Sequence, residues 1–104
     1  MAFFFLRGIT QHKMGDLKAA LQSKQRALET RIKLFGEEHQ STCECYYSLG
    51  ITQHKMGDFK AALHSEQRAL ETRIKLFGEE HQSTADCYYE LGVIKAKMGD
   101  FKAA

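Results

Sequence analysis

The chain has 104 residues, with 15 Lys and Arg against 13 Asp and Glu for a formal charge of +2, and that length allows one small domain with a modest core. So weak a positive charge excludes the dense basic surface of a dedicated nucleic-acid binder. Proline and tryptophan are absent, and the three cysteines are too few and too odd a set for the disulfide framework of a secreted mini-domain, which points to a reducing, cytoplasmic setting.

Phe3-Phe4-Phe5-Leu6 opens the chain, but Arg7 and Gly8 interrupt the run well short of a signal-peptide core or a membrane span, so no membrane partner is expected. From Gly8 a period takes over. Gly8-Ile9-Thr10-Gln11-His12-Lys13-Met14-Gly15-Asp16 recurs at Gly50-Ile51-Thr52-Gln53-His54-Lys55-Met56-Gly57-Asp58, 42 positions on, and in weaker form at Gly92-Val93-Ile94-Lys95-Ala96-Lys97-Met98-Gly99-Asp100 after another 42. Between residues 8–49 and 50–91 only six pairs differ: Leu17/Phe59, Gln22/His64, Lys24/Glu66, Cys43/Ala85, Glu44/Asp86 and Ser48/Glu90. The chain therefore reads as one repeat array: a partial repeat over 1–7, repeats at 8–49 and 50–91, and a truncated repeat over 92–104. Asp100-Phe101-Lys102-Ala103-Ala104 begins to repeat Asp58-Phe59-Lys60-Ala61-Ala62 and is cut mid-element.

Ala, Leu, Lys, Glu, Gln and Arg fill the stretches between glycines, which predicts an all-α fold with helices over 2–14, 16–34, 42–56, 58–76 and 84–98. Ser41-Thr42-Cys43-Glu44 has the form of a capping box, and Tyr46, Leu49, Gly50 and Gln53 share one face of the helix it opens. Gly57 is predicted to end that helix and Asp58 to cap the next, whose apolar stripe is Phe59, Ala62, Leu63, Ala69, Leu70, Ile74 and Phe77. Gly78-Glu79-Glu80-His81-Gln82 is a polar loop before the following helix. Gly8, Gly50 and Gly92 fall inside first helices, where glycine costs about 1 kcal/mol. A close helix crossing would explain them, with Ala62 and Ala69 as its small counterparts.

This arrangement resembles the tetratricopeptide repeat, which sets an aromatic, then Leu-Gly, then two alanines across a helical hairpin. Tyr46, Leu49, Gly50, Ala62 and Ala69 match, as do Tyr88, Leu91 and Gly92; Gln53 and Glu66 stand where the family carries aromatics, and no proline closes the second helix. The resemblance implies an α-solenoid of antiparallel helix-turn-helix repeats coiled into a right-handed superhelix. The long period and the loop Leu34-Phe35-Gly36-Glu37-Glu38-His39 resemble the subclass of kinesin light chains and nephrocystin-like proteins, which are intracellular scaffolds and adaptors.

Catalytic and metal chemistry find little support in the residues. Cys43 and Cys45 are two apart on a helix and point different ways, and Cys45 and Cys87 occupy equivalent core positions, where a free thiol packs as a small apolar group. His39 and His81 lie beside paired glutamates in the loops but lack the helical spacing of a metalloprotease site, and a solvated loop accounts for them. Neither an enzyme, a metal nor a cofactor is expected.

One repeated pattern remains. Tyr47, Ile51, His54 and Lys55 form a second stripe beside the buried one, matched by Phe5, Ile9, His12 and Lys13 and by Tyr89, Val93, Ala96 and Lys97. In the family the first helices line the concave side, so the resemblance implies a peptide groove along Ile9, His12, Lys13, Tyr47, Ile51, His54, Lys55, Tyr89, Val93 and Lys97. Packing of repeat against repeat is the alternative for its aromatic and aliphatic members. The lysines favour the groove, because a buried seam would leave an ammonium unpaired. The expected partner is a protein or peptide with apolar anchors near acidic residues. The family's clamp for a terminal carboxylate is not expected, because Ile9, Ile51 and Val93 stand where its Asn would be. A second function class is a structural spacer whose uncapped repeat ends, with Tyr88 and Leu91 lacking their partner face, associate into homo-oligomers.

Overall fold

The computed structural model of the chain describes the backbone of residues 14–103 and the side chains of residues 14–99. Four helices follow one another: α1, Met14–Phe35; α2, Gln40–Lys55; α3, Phe59–Phe77; and α4, Gln82–Ala103, with no strand among the described residues. Residues 2–13 of the helix expected over 2–14 lie outside them, and Met14, its expected last residue, is instead the first of α1, which continues through Gly15 and Asp16.

Consecutive helices pack as antiparallel pairs, and α2 also touches α4, which places the two first-type helices side by side. That stacking is how a repeat array builds a continuous core without a globular centre. α1 meets only α2 among these helices, and its half-buried positions Leu21, Lys24, Ala27, Leu28, Arg31 and Ile32 fall three or four apart on one face. α3 lies between α2 and α4 and buries residues on two sides, Ala62, Ser65, Glu66, Ala69, Thr72 and Arg73. The centre of the α2/α3/α4 junction is Cys43, Ala69 and Cys87, with Tyr46, Tyr47 and Leu70 packed against it.

All three cysteines are free and buried. Cys43 and Cys45 do point different ways, yet both are covered, because α2 has a helix on either side.

The tight turn after α2 forms as its sequence predicts. Gly57 takes φ 86°, a left-handed conformation that suits glycine, and the Gly57 and Asp58 amides donate to the carbonyls of His54 and Gln53 at 3.0 and 2.9 Å. Asp58 Oδ1 then accepts the Ala61 amide at 3.3 Å and caps α3.

The longer turns differ from expectation. His39 caps α2 in place of the predicted capping box: its Nδ1 accepts the Ser41 amide at 3.0 Å while its ring stacks on Phe35 at 4.4 Å. Thr42 instead donates backwards to the Gly36 carbonyl at 2.7 Å and closes the loop. Phe77, His81, Ser83 and Thr84 repeat the device, with the His81 ring 4.4 Å from Phe77 and Thr84 bonded to Gly78. Both loop histidines are thus structural rather than merely solvated, since each ring satisfies an amide that the start of a helix leaves open.

Gly99-Asp100 makes no turn: α4 continues through both to Ala103. Met56-Gly57-Asp58-Phe59-Lys60-Ala61-Ala62 and Met98-Gly99-Asp100-Phe101-Lys102-Ala103-Ala104 are the same seven residues, so local sequence does not decide between turn and helix. α3 packing back on α2 decides it for the first copy.

Candidate interaction surface

The stripe on α2 and α4 is built by register. Tyr47, Ile51 and His54 are half-buried on α2 and Lys55 is exposed; on α4 Tyr89 and Lys97 are exposed and Val93 is half-buried. Ile9, His12 and Lys13 lie outside the described residues. His54 reaches across to α4, where its Nδ1 stands 3.7 Å from Glu90 Oε2, each side chain 20% exposed, and its ring is 5.7 Å from that of Phe59.

Tyr47 and Tyr89 hold equivalent positions in different surroundings. Arg73 of α3 lies over the Tyr47 ring at 4.3 Å, and the ring leans on the Cys43, Ala69 and Cys87 centre. Burial pushes the Tyr47 phenol above its usual range, and the carboxylates of Asp86, Glu66 and Glu90 push the same way. Tyr89 is 73% exposed. Tyr88 is also exposed and donates to Glu79 at 3.1 Å, whereas Leu91, expected to lack cover, is buried at 6% against the helices behind α4.

Arg73 lies outside the stripe legible in the sequence. It is 8% exposed, donates to the Ser83 carbonyl at 2.7 Å and to Cys87 Sγ at 3.3 Å, and so ties α3 to the first turns of α4 while stacking on α2. Burial drives the Cys87 thiol up to about 12, with Arg73 only partly opposing it, so this cysteine stays a neutral packing group. Arg31 makes the equivalent bond to the Ser41 carbonyl at 2.8 Å. The repetition was visible in sequence as two arginines 42 apart on the inward faces of the second-type helices. A cleft of about 220 Å³ opens beside Arg73, between the first turns of α2 and α4, lined among others by Gln40, Glu44, Phe77 and His81.

Glu66 is the second residue outside that stripe. The close approach predicted at Gly50 exists, but its counterpart is Glu66 rather than Ala62 or Ala69: a Cβ on Gly50 would lie 2.8 Å from Glu66 Cδ. Ala62 and Ala69 are fully buried beside it in the α2/α3 contact. Gly92, the equivalent glycine on α4, has nothing within 4 Å of such a Cβ. At the position equivalent to Glu66, Lys24 bonds to Thr52 Oγ1 at 2.8 Å and the Ser48 carbonyl at 3.4 Å. Partial burial and then repulsion from Lys55 lower its ammonium from the ordinary value.

At the rim, Glu37 accepts from Arg68 at 2.6 Å and Tyr46 at 2.9 Å, which links the first long loop to α3. Burial alone would raise this carboxyl, but those two bonds hold it below the usual range. Lys75 pairs with Glu38 alongside. Among the described residues no group of three or more metal-ligating side chains is assembled, and no helix is long and apolar enough to cross a membrane.

The tetratricopeptide repeat family model matches residues 4–75, more than half of the chain. No curated protein matches it. The chain belongs to the tetratricopeptide repeat family.

Proposed function

We propose that this tetratricopeptide array, whose family mediates protein–protein interaction, binds an extended peptide along the adjoining faces of α2 and α4 and performs no catalysis. The observation that carries the reading is the contact between these two non-consecutive helices, which sets two copies of one aromatic, aliphatic and lysine pattern side by side. Ile51 and Val93 supply half-buried apolar floor; Tyr89 supplies an open aromatic edge; Lys55 and Lys97 supply exposed cations. Tyr47 contributes from beneath Arg73 and is held as much by packing as by the groove. Apolar anchors would provide most of the affinity, and the lysines would attract and orient acidic residues of the ligand in a cytoplasmic setting.

A panel of extended peptides carrying Leu or Phe beside Glu or Asp, titrated against the intact chain, tests this. Tyr89→Ala should weaken the best binder by about 1–2 kcal/mol. Lys55→Glu with Lys97→Glu should slow association and flatten its salt dependence. Lys60→Glu, exposed at the start of α3, is the control. Equal losses from the control and the paired lysine change would remove the groove assignment.

The exposed Tyr88 and Tyr89 also suit a second copy of the chain, the structural reading of the same surface. Sedimentation across a concentration series separates the two. If Tyr89→Ala abolishes a dimer and leaves peptide binding intact, the surface serves self-association.

A further inference from the structure

Glu66 is fully buried, and neither of its carboxyl oxygens has a hydrogen-bond partner among the described residues. An orphaned buried carboxylate is strongly disfavoured, so a side chain in this position is either neutral or paired. Its surroundings offer little pairing. Gly50 of α2 presents backbone to the carboxyl, and Tyr47 and Cys43 of the same helix are neutral. From α4, Glu90 opposes it electrostatically, and Cys87 is a neutral thiol. Arg73, on α3 itself, is the cation that acts on it, and that guanidinium is already bonded to Ser83 and Cys87 and stacked on Tyr47. His54 stands beside Glu90 rather than bonding to Glu66.

The preceding joint shows what the position holds elsewhere. Lys24, one period earlier, crosses from α1 to α2 and finds Ser48 and Thr52 there. Glu66 faces the equivalent stretch of α4, where Glu90 replaces Ser48 and Ile94 replaces Thr52. Lys24/Glu66 and Ser48/Glu90 are two of the six differences between the repeats, and they fall on the two sides of one joint.

We propose that Glu66 is a proton-binding switch at the joint between α3 and α4, neutral beneath Gly50 while α4 is docked, and driving α4 away once it ionises beside Glu90. This goes beyond the peptide groove and stands without it. Burial first, and then the neighbouring Glu90, raise the carboxyl from the ordinary 4.5 to about 8, with Arg73 opposing. When α4 lifts away the carboxyl meets water and returns toward its ordinary value, so opening releases a proton. The docked state is therefore favoured most below about pH 4.5, loses ground as pH rises toward about 8, and changes no further above that.

Amide hydrogen exchange of α4 in the intact chain, followed from pH 5 to pH 9 and corrected for intrinsic exchange chemistry, tests the switch. The opening equilibrium should grow by up to about tenfold per pH unit between 5 and 8 and then level off. Glu66→Gln should flatten that rise, whereas Glu71→Gln, exposed on the same helix, should keep it. Glu66→Lys, which copies Lys24 and faces Glu90, should hold α4 tighter than wild type at pH 8. A flat wild-type profile, or a slope that survives Glu66→Gln, overturns the proposal. Should Glu66→Gln not fold, a carbon-13 titration of the assigned glutamate carboxyls in the wild-type chain decides: a Glu66 midpoint well above the other glutamates supports the switch, and one among them overturns it.

Discussion

The joint between α1 and α2 and the joint between α3 and α4 are made from nearly the same residues and solve the same problem differently. In the first, Lys24 crosses to a hydroxyl and a carbonyl and remains partly open to water. In the second, Glu66 is sealed in without a hydrogen bond, and the joint rests on Arg73, which bonds α4 and stacks on Tyr47. Sequence identity across a period thus does not carry over energetics. Exchanging Lys24 for Glu66, with Glu90 and Ile94 in place of Ser48 and Thr52, moves the polar burden of the joint onto Arg73.

Removing the two arginines should break the comparison most sharply. Arg73→Ala deletes buried bonds to Ser83 and Cys87 and the stack on Tyr47, and should cost about 3 kcal/mol in urea unfolding. Arg31→Ala loses a bond at a side chain that is 40% exposed and should cost about 1 kcal/mol. Equal costs would mean that Arg73 does not bear the second joint.

The glycines provide the next contrast, with opposite signs. Gly50→Ala pushes a methyl into the buried Glu66 side chain and should destabilise by about 1–3 kcal/mol. Gly92→Ala has open space and should stabilise α4 by up to about 1 kcal/mol. Thermal melts of the two variants check the sign directly. A stabilised Gly50→Ala would show that Glu66 can move aside at little cost.

The first joint is sharpened by Thr52→Val, which keeps the shape and removes the acceptor of Lys24. The ammonium retains the Ser48 carbonyl and some water, so the loss should be about 1 kcal/mol, with Lys24→Met relieving it in the double variant. Additive losses in that cycle would mean the two side chains do not interact.

Much of this was legible beforehand. The period, the four helices, the turn at Gly57 and Asp58, and the burial of Leu49, Ala62 and Ala69 all follow from residue types at fixed spacing, because helix periodicity and turn chemistry are local. The stripe residues could likewise be named, since register places Tyr47, Ile51, Tyr89 and Val93 on helix faces without knowledge of their neighbours. What lies over each of them could not be read. Tyr47 and Tyr89 are the same residue at the same register, and Arg73 together with the Cys43, Ala69 and Cys87 centre covers the first while the second stands open.

The sequence by itself determined an all-α repeat array and the sites of its helices, because a pattern copied every 42 residues can pack only against its own copies. Tertiary structure alone decided three matters. It made Met56 to Asp58 a turn before α3, and the matching Met98 to Asp100 part of a helix that runs on to Ala103; it gave the helix caps to His39 and His81; and it buried Glu66 under Gly50. The turn and the buried carboxyl depend on which helix comes to lie against a residue, and the caps on where a loop ring settles. A periodic sequence presents equivalent residues at every repeat, so it cannot distinguish one with a neighbour from one without.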